Sequence, residues 1–299
     1  MKGRTNYGVG AMKIGIIGGG SIGLLFGGYL AEQHEVTLYT RTEHQANEIN
    51  KNGVTIDQQN TSKTYRVQAF TSTSSVIEED IVIFAVKQYI LEEVLSKTLD
   101  LDKVHTVCFL QNGMGHMDII EKLRNPTILI GVVEHGALKV SENQVIHTGV
   151  GRTKIAAIKG ENKAFDVKLN EFIFEYHDNW YEIVTSKLIA NAVINPLTAL
   201  YGVKNGRLLE NTYFHNQMKA LFNEITSVIP SNHEKMWELV KNICKNTAQN
   251  KSSMLRDIEE GRRTEIDAIL GYVLAEAVKK NMEVAITKFL YDSIKGFEN

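Results

Sequence analysis

The sequence predicts an α/β fold in which a domain with a parallel sheet and flanking helices, residues 12–178, is followed by an all-helical domain, residues 179–299. Short apolar runs alternate with helical segments in the first half, and strand patterns disappear after the polar-aromatic passage FEYHDNW, which ends at Trp180. The 299 residues also exceed one average domain of about 100 to 200 residues. We place the domain boundary near Asp178.

The first half contains five apolar or β-branched runs of the kind that form buried parallel strands: KIGII, EVTLYT, DIVIFAV, VHTVCFL and TILIGVV. Three segments between them have helical spacing: SIGLLFGGYLAEQ, EHQANEINKNG and QYILEEVLSKTL. The second ends at Gly53, a residue type that commonly stops a helix. Together they predict a series of β-α-β units, which two further strand-like pieces extend, QVIHTG and TKIAAIKG.

From Trp180 onward the pattern is helical almost throughout, and it contains no internal repeat. Four long segments predict helices: EIVTSKLIANAVINPLTALYG, FHNQMKALFNEITSVIP, HEKMWELVKNICKNTAQN and TEIDAILGYVLAEAVKKN. They predict that the second domain is all-helical.

The charge balance excludes broad classes of function. Lys and Arg total 33 and Asp and Glu total 35, a net charge of −2, so the chain lacks the overall positive field that binds nucleic acid or an anionic membrane surface. A small-molecule partner is therefore favoured, with no nucleic acid and no membrane. The two cysteines lie far apart and the nine histidines form no H-x-x-x-H pattern, so we expect a reducing, cytoplasmic location and no metal.

The N-terminal region contains an aperiodic segment and an uncharged segment. The residues Met1–Ala11 have no periodicity, so they predict no helix or strand. The uncharged segment Ile14–Ala31 could be mistaken for a signal peptide or a membrane span, but its seven glycines leave too few large apolar groups for a bilayer helix. We interpret it as a strand, a turn and a helix.

The turn between the first strand and the first helix carries a G-x-G-x-x-G pattern, formed by Gly18, Gly19, Gly20, Ser21, Ile22 and Gly23. Glycines there permit a tight turn, the close approach of a pyrophosphate and close helix packing, while the helix N-terminus faces the phosphates. An ordinary glycine turn is the alternative, because such turns between a strand and a helix are common. The β-α-β context favours a dinucleotide site, and thus a Rossmann-type N-terminal domain.

Two basic residues at strand ends bear on the choice of cofactor. A site that prefers NAD carries Asp or Glu at the end of the second strand, but this chain has Thr40, Arg41 and Thr42 there. The guanidinium of Arg41 suits a 2′-phosphate, so NADPH is favoured over NADH. Lys87 ends the strand DIVIFAV, at the sheet edge where ligands of open α/β sheets bind. An ordinary surface arginine and a solvated lysine are the alternative interpretations.

Lys187, Asn191 and Asn195 form a polar stripe, at spacings of four residues, on the otherwise apolar predicted helix. Burying an ammonium and two amides is costly without partners, so the stripe indicates the wall of a cavity. The alternative is a lysine whose ammonium reaches solvent beside capped amides. Pro196 is expected to kink the helix next to Asn195.

Three further candidates also have simple structural alternatives. Glu265 lies at the start of the last long predicted helix, where an acidic residue also suits the helix dipole. Ser253 lies beside Ser252 between helical segments, where a serine could be no more than a helix cap. Asn112 follows the strand VHTVCFL at the carboxyl end of the sheet, opposite the nucleotide turn, which makes it a candidate for the ligand cleft. An isolated Asn-Gly turn would mean little.

From Met12 to about Lys288 the sequence resembles the ketopantoate reductase (2-dehydropantoate 2-reductase) family. The most specific pieces are QNGMG at 111–115, KLIANAVINPLTAL at 187–200, SSML at 252–255 and RRTEID at 262–267. The resemblance implies an N-terminal NADPH-binding domain, a helical C-terminal domain and an active site between them. The chain departs from the pattern at Ile90, where some members have a glutamine near the cofactor.

The resemblance also implies roles for individual residues. Lys187 matches the general acid, and Glu265 matches an acidic active-site residue that we count as both catalytic and cofactor-binding. Asn112 matches a contact of both cofactor and substrate. The remaining substrate-side positions are Asn191, Asn195, Asn205 and Ser253, the last at the substrate carboxylate. The remaining cofactor positions are Gly18 to Gly23, Arg41, Lys87 and Ala137.

The function implied by the resemblance is the NADPH-dependent reduction of ketopantoate to (R)-pantoate, a step of pantothenate biosynthesis. Hydride would go to the C2 carbonyl while the Lys187 ammonium protonates the developing alkoxide, and burial in the apolar helix should lower the pKa of this lysine toward the working range. Two alternatives stay open: another dehydrogenase of the 3-hydroxy-acid type, and an NADP-sensing protein without catalysis. The sequence leaves the oligomeric state open, a homodimer included.

Overall fold

The computed structural model describes residues 10–59, 61–71, 73, 76–98, 100–162 and 169–298. The chain divides into two compact units. The α/β unit comprises Met1–Gln111 and Ile119–Trp180, and the helical unit comprises Asn112–Asp118 and Tyr181–Asn299. The short segment Asn112–Asp118 therefore packs with the helices, although the strand before it belongs to the sheet.

An eight-stranded sheet forms the centre of the α/β unit. The strands of this unit in the described residues are β1 (Lys13–Ile17), β2 (Glu35–Tyr39), β3 (Val54–Gln58), β4 (Thr61–Tyr65), β5 (Gln68–Phe70), β6 (Ile81–Phe84), β7 (Thr106–Phe109), β8 (Thr127–Val133), β9 (Gly136–Lys139), β10 (Gln144–Gly149), β11 (Arg152–Lys159) and β12 (Ile173–Tyr176). Six parallel strands lie in the order β5-β2-β1-β6-β7-β8, and β11, antiparallel to β8, and β12 extend the sheet.

Counted in chain order, the six parallel strands have the arrangement 3-2-1-4-5-6 of a Rossmann-type fold. All five predicted apolar runs are strands of this sheet, and TKIAAIKG forms most of β11. The predicted fold class is confirmed. The sequence patterns did not predict β12, which adds an edge strand beside β11.

The helices of the α/β unit are α1 (Ser21–Leu30), α2 (Glu43–Asn52), α3 (Leu91–Lys97) and α4 (Met117–Ile120), which crosses the unit boundary. As predicted, α2 ends at Gly53, whose φ of 73° lies in the left-handed region. The predicted third helix is shorter than its pattern. A 3₁₀ turn at Gln88–Ile90 precedes α3, and Thr98 ends the helix by adopting an extended ψ of 97°.

A second, four-stranded sheet has the order β4-β3-β10-β9, and the sequence patterns predicted only β10 among its strands. Helix α1 contacts both sheets, through glycines that allow close approach. A Cβ at Gly27 would lie 3.0 Å from Leu38 Cδ1 of β2, and one at Gly28 would lie 2.6 Å from Ile56 Cδ1 of β3. This position between two sheets explains why the segment is uncharged: every residue from Gly23 to Leu30 is buried.

The helical unit is built around α5 (Trp180–Tyr201), which begins at the unit boundary and buries most of its residues. The other helices described are α6 (Arg207–Glu210), α7 (Thr212–Val228), α8 (His233–Asn246), α9 (Ser253–Glu259), a π-helical stretch (Asp267–Gly271), α10 (Tyr272–Lys279) and α11 (Ala285–Phe297). The sequence patterns did not predict α6, α9 and α11. Helix α5 continues through Pro196 to Tyr201, so the proline does not end the helix.

Side-chain caps define several helix ends in this unit. Asn211, Asn232 and Ser252 accept backbone N–H groups at the starts of α7, α8 and α9. The Glu224 carboxylate accepts the N–H groups of Ile286 (3.1 Å) and Thr287 (2.6 Å) at the start of α11. These contacts connect α7 to α11 and satisfy donors that a helix start leaves unpaired.

Among the described residues, α5 alone is long and apolar enough to cross a membrane by length and composition, with a mean hydropathy of 1.3 over the tested window. Within that window 78% of the residues are buried inside the structure. A mostly buried core helix can have the same length and composition.

Candidate active site

The G-x-G-x-x-G turn connects β1 to α1 and is packed from both sides. Gly18 has a φ of 118°, a conformation that favours glycine, and its N–H donates to the carbonyl of Tyr39 at the end of β2 (2.9 Å). A Cβ at Gly23 would overlap the Gly18 carbonyl, so α1 can approach the turn only with glycine there. The turn therefore requires its glycines for backbone conformation and packing as well as for any ligand.

The N-terminus of α1 offers free backbone donors. Gly20 is the N-cap residue, and a Cβ built on it would meet nothing within 4 Å. In the described part of the chain no side chain caps this helix, and its first turn carries no acidic residue. Unpaired N–H groups and the partial positive charge of a helix start are suited to bind phosphate.

Gln45 fixes the turn to the second sheet. Its Nε2 donates to the carbonyls of Gly19 and Glu142, both at 2.8 Å, and Glu142 lies between β9 and β10. A Cβ on Gly19 would lie 2.6 Å from this amide. The glycine at the first variable position of the pattern, Gly19, therefore makes room for Gln45.

The other predicted cofactor residues lie at three places in the α/β unit. Arg41 is exposed in the turn between β2 and α2, and Lys87 is exposed directly before the 3₁₀ turn that follows β6. Because β2 and β6 both pair with β1, these two residues follow the strands that flank the glycine turn. Ala137 is half-buried on β9, opposite His147, and so belongs to the second sheet.

In the helical unit, α5 carries the predicted polar stripe. Asn195 is buried, at 7% exposure, whereas Lys187 and Asn191 are half-buried. Helical spacing places the three side chains on one face of α5. Most other residues of this helix are apolar and buried, so the stripe interrupts a hydrophobic surface.

Asn112 and Glu265 are brought together although 153 positions separate them in sequence. Asn112 Nδ2 donates to Glu265 Oε2 at 3.0 Å, and Glu265 is only 8% exposed. A nearly buried carboxylate requires hydrogen bonds or an opposite charge, and the amide supplies one such bond. Asn112 thus fixes the direction of a carboxylate at the start of the last helical region.

The residues after Asn112 hold its segment against two helices of the same unit. Gly113 has a φ of 79°, and a Cβ there would overlap the Ala268 carbonyl in the π-helical stretch. The hydroxyl of Thr185 lies 3.9 Å from Met114 Sδ. Thr185 is on α5, two positions before Lys187. The segment Asn112–Asp118 therefore contacts the region of Glu265 and also the part of α5 that carries Lys187.

The two adjacent serines have different environments. Ser252 is buried, and its Oγ accepts hydrogen bonds from Leu255 N (3.2 Å) and from the Thr198 hydroxyl of α5 (2.8 Å). It is therefore the helix cap, whereas Ser253 is exposed as the first residue of α9. The Thr198 bond keeps this helix start next to α5, one turn beyond Asn195.

Asn205 is held by the segment between α8 and α9. Its N–H donates to the Asn250 carbonyl (3.0 Å) and its Nδ2 donates to Thr247 Oγ1 (2.9 Å). Its side-chain oxygen is buried and has no partner among the described residues. The Nδ2 group of Asn205 thus connects the segment that follows α5 to Thr247, the residue that follows α8.

Two buried polar residues close to Asn112 were missed by the sequence patterns. Gln111 Nε2 donates to the carbonyls of Phe84 (2.9 Å) and Val86 (3.0 Å). His116 is completely buried, neither of its ring nitrogens has a partner in the described part of the chain, and burial lowers its pKa to about 4. Gln111 could have been noticed as a long amide at a strand end, but no sequence signal marks the burial of His116.

A pair of buried histidines lies in the α/β unit. His135 Nδ1 and His147 Nε2 are 3.1 Å apart, and Tyr29 Oη lies 2.8 Å from His147 Nδ1. Because the N–H of Gly151 donates to His135 Nδ1 (3.2 Å), that nitrogen is an acceptor and the His135 ring is neutral. Within the described residues no three His, Cys, Asp or Glu side chains gather in a way that could hold a metal ion.

Two family models match the chain: "Ketopantoate reductase PanE/ApbA" over residues 14–160 and "Ketopantoate reductase PanE/ApbA C terminal" over residues 179–298. A protein of Bacillus subtilis named 2-dehydropantoate 2-reductase is 41% identical over 96% of this chain and 98% of its own length. The chain belongs to the ketopantoate reductase family. A relative of the same name from Listeria innocua is 37% identical over 96% of this chain and 97% of its own.

Solved structures of the ketopantoate reductase family have the same fold. The crystal structure of a probable 2-dehydropantoate 2-reductase from Bacillus subtilis matches with a TM-score of 0.86 and 39% identity, over 96% of this chain and 100% of that one. A D-mandelate dehydrogenase with NADH and anilino(oxo)acetate matches with a TM-score of 0.82 at 23% identity, over 96% of this chain and 98% of that one. At that identity the likeness establishes the fold alone. The family membership makes the chain an oxidoreductase, and the roles of its individual residues stay predictions.

Proposed function

We propose that this protein reduces 2-dehydropantoate to (R)-pantoate with NADPH, in the cytoplasm, as a step of pantothenate biosynthesis. Residues 12–178 would bind the dinucleotide, and residues 179–299 would bind the substrate and carry the catalytic groups. Asn112, which packs with the helical unit, would contact both cofactor and substrate. Membership in the ketopantoate reductase family supports the reaction. The observation that carries the proposal is the Asn112–Glu265 hydrogen bond, because it belongs to the same unit as Lys187 and the asparagines of α5.

The residues of the glycine turn fit a dinucleotide. The space around Gly20 is open, since a Cβ there would meet no atom within 4 Å. The first turn of α1 has no side-chain cap, so its N–H groups can donate hydrogen bonds to a pyrophosphate. When bound, NADPH supplies the hydride. Ser21 and Ile22 would contribute backbone donors, and Gly18 and Gly23 would keep the turn narrow enough for close approach.

Arg41 supports NADPH over NADH. It is exposed directly after β2, at the place where NAD-preferring sites have a carboxylate that binds the ribose 2′-hydroxyl. Its guanidinium can form paired hydrogen bonds to a 2′-phosphate. Lys87, three residues after β6, Ala137, Asn112 and Glu265 complete the proposed cofactor residues.

Lys187 is the proposed general acid. Hydride addition at C2 turns the carbonyl oxygen into an alkoxide, and the Lys187 ammonium would donate a proton to that oxygen. Glu265, held by Asn112, would orient the lysine and accept a hydrogen bond from the substrate hydroxyl. Asn191 and Asn195, on the same face of α5, would fix the substrate in position for hydride transfer.

The substrate carboxylate would bind at the start of α9. Ser252 already caps this helix, which leaves the exposed Ser253 hydroxyl for a ligand. The Thr198–Ser252 bond keeps the helix start next to α5. The Asn205 side-chain oxygen, buried without a described partner, is a further acceptor on this side.

The test of the reaction is NADPH oxidation, followed at the nicotinamide absorbance band, with a panel of 2-keto acids. Ketopantoate should be the preferred substrate. 2-Ketoisovalerate lacks the hydroxyl and should be clearly poorer, because leaving a buried polar group unpaired costs about 1 to 3 kcal/mol. Pyruvate and phenylglyoxylate, the keto acid that corresponds to mandelate, complete the panel. Equal efficiency with 2-ketoisovalerate or pyruvate would contradict the proposed substrate.

The test of the general acid is Lys187→Ala. It should lower kcat by about 10²- to 10⁴-fold, while the Kd for NADPH stays near the wild-type value. Lys204→Ala is the matched control, since Lys204 is an exposed lysine that follows α5 and donates to Gln249 (3.1 Å). Near-normal turnover by Lys187→Ala would rule out this role.

The alternatives predict other results in the same assays. A dehydrogenase of the 3-hydroxy-acid type would prefer other substrates, and an NADP-sensing protein would bind NADPH without oxidising it. A neighbour of the same fold from Staphylococcus aureus, 19% identical, is described as a dimeric ketopantoate reductase. We therefore propose a homodimer as the assembly to test by light scattering.

A further inference from the structure

Gln111 forms two hydrogen bonds at the carboxyl end of the sheet. It follows β7, is only 7% exposed, and donates through Nε2 to two backbone carbonyls, those of Phe84 and Val86. Since both partners are acceptors, the amide must present its nitrogen to them, and the orientation of the side chain is fixed. The Phe84 carbonyl also accepts the N–H of Leu110 (3.1 Å), so Gln111 continues the β6–β7 pairing past its last strand bond.

The segment after β6, which Gln111 holds, packs against the glycine turn. After β6, Ala85 donates to the carbonyl of Ile17 (2.9 Å), the last residue of β1. A Cβ on Gly18 would lie 2.9 Å from Val86 Cγ1 and 3.0 Å from the Ala85 carbonyl carbon. The same Ala85 has its Cβ next to Gly23, the last glycine of the pattern. The segment 84–86 therefore packs directly on the first and last glycines of the turn.

We propose that Gln111 is a positioning residue for the dinucleotide, which acts by holding the segment Phe84–Lys87 against the glycine turn. The proposal rests on the proposed dinucleotide site. Without the amide, the Val86 carbonyl loses its Gln111 donor, and the loop that ends in Lys87 can shift away from Gly18. Such a shift changes the space available to the pyrophosphate and the direction of the Lys87 side chain, and both changes weaken cofactor binding.

The chain offers a matched control in Asn125. Its Nδ2 also donates to two backbone carbonyls, those of Leu101 (2.7 Å) and Val104 (2.8 Å), and it is 1% exposed. As in Gln111, the amide oxygen is buried with no partner in the described residues. Asn125 precedes β8, and Leu101 and Val104 precede β7, so this amide lies at the opposite, amino end of the sheet. The two residues share their chemistry and burial and differ in distance from the glycine turn.

The experiment compares the full-length wild type with Gln111→Leu and Asn125→Leu. Fluorescence titration gives the Kd for NADPH, thermal unfolding of the ligand-free proteins gives the loss of stability, and steady-state assays separate KM from kcat. Both variants should unfold at a lower temperature than the wild type. Gln111→Leu should raise the Kd and KM for NADPH about tenfold, equivalent to about 1.4 kcal/mol, with little change in kcat or in the KM for the keto acid. Asn125→Leu should leave the Kd for NADPH unchanged.

The Kd values of the variants distinguish a positioning role of Gln111 from general destabilisation. An unchanged Kd in Gln111→Leu overturns the positioning role, and so does an equal loss of affinity in Asn125→Leu, which would indicate general destabilisation. If Gln111→Leu does not fold, Gln111→Met replaces it. Failure of both to fold makes Gln111 a folding residue and equally overturns the proposal. A wild type that binds neither NADPH nor NADH contradicts the proposed dinucleotide site itself.

Discussion

Lowering the pH should weaken the helical unit through His116. This side chain is completely buried, and within the described residues neither ring nitrogen has a hydrogen-bond partner. Burial lowers its pKa from 6.5 to about 4, because the charged imidazolium is disfavoured away from water. In the unfolded chain a histidine has a pKa of about 6.5, so the unfolded state binds this proton more readily than the folded state.

The sign and the size of the effect follow from this difference in pKa. The stability contribution is complete above the unfolded pKa, and it is lost as the pH falls through the folded pKa. Between about pH 7 and about pH 5, this side chain should lower the free energy of unfolding by about 2 kcal/mol, and the whole shift corresponds to about 3 kcal/mol. Most carboxylates stay ionised above about pH 5, so histidines dominate this range.

Urea unfolding at several values between about pH 7 and about pH 5 measures this loss. Tryptophan fluorescence is the probe, because Trp180 and Trp237 lie on α5 and α8. In His116→Leu the pH-dependent loss should shrink by about 2 kcal/mol. At neutral pH the variant should be at least as stable as the wild type, since two unpaired nitrogens no longer need to be desolvated.

His233→Gln is the control for this experiment. His233 is an exposed residue at the start of α8, in the same unit, so its removal should leave the wild-type pH dependence intact. If the free energy of unfolding of His116→Leu falls with pH as steeply as that of the wild type, the reasoning from burial is refuted.

Two further predictions concern the two units separately. Arg41→Ala should lower kcat/KM with NADPH about tenfold or more, because a charge-assisted hydrogen bond contributes about 1.5 to 3 kcal/mol, and should change kcat/KM with NADH far less. Equal use of both cofactors by the wild type would contradict it. Gly113→Ala should lower the free energy of unfolding by about 1 to 3 kcal/mol, since its Cβ would overlap the Ala268 carbonyl at a left-handed φ. Gly296→Ala, where a Cβ meets nothing within 4 Å, is the control, and equal unfolding curves for the two variants would count against the packing argument.

The second sheet of the α/β unit illustrates what sequence patterns miss. Strand β3 pairs with β10, and Thr55 lies opposite Gln144, so the pairing joins segments far apart in the chain. The residues of β4, TSKTY, are polar and mostly exposed, and they have no apolar run that would mark a strand. Neither strand can be predicted from its own residues, because the pairing depends on hydrogen bonds to distant partners.

The candidate site was predictable to the extent that its signals are local. The glycine pattern directly follows a strand, and the stripe of Lys187, Asn191 and Asn195 is visible at helical spacing. The Asn112–Glu265 bond could not be derived from periodicity, since it joins residues 153 positions apart. Resemblance to a family named both residues as candidates, but their hydrogen bond emerges only from the fold.

The parallel sheet, the glycine turn and the helical second half follow from local sequence patterns, because each depends on residue types within one turn, one strand or one helix. The pairing of polar groups, in contrast, depends on the fold. The fold bonds Gln111 to the carbonyls beside the glycine turn, makes Ser252 and not Ser253 the helix cap, and buries His116 completely in the helical unit. A buried polar group destabilises the fold unless it has hydrogen-bond partners. These partners come from distant parts of the chain, so no local sequence pattern identifies them.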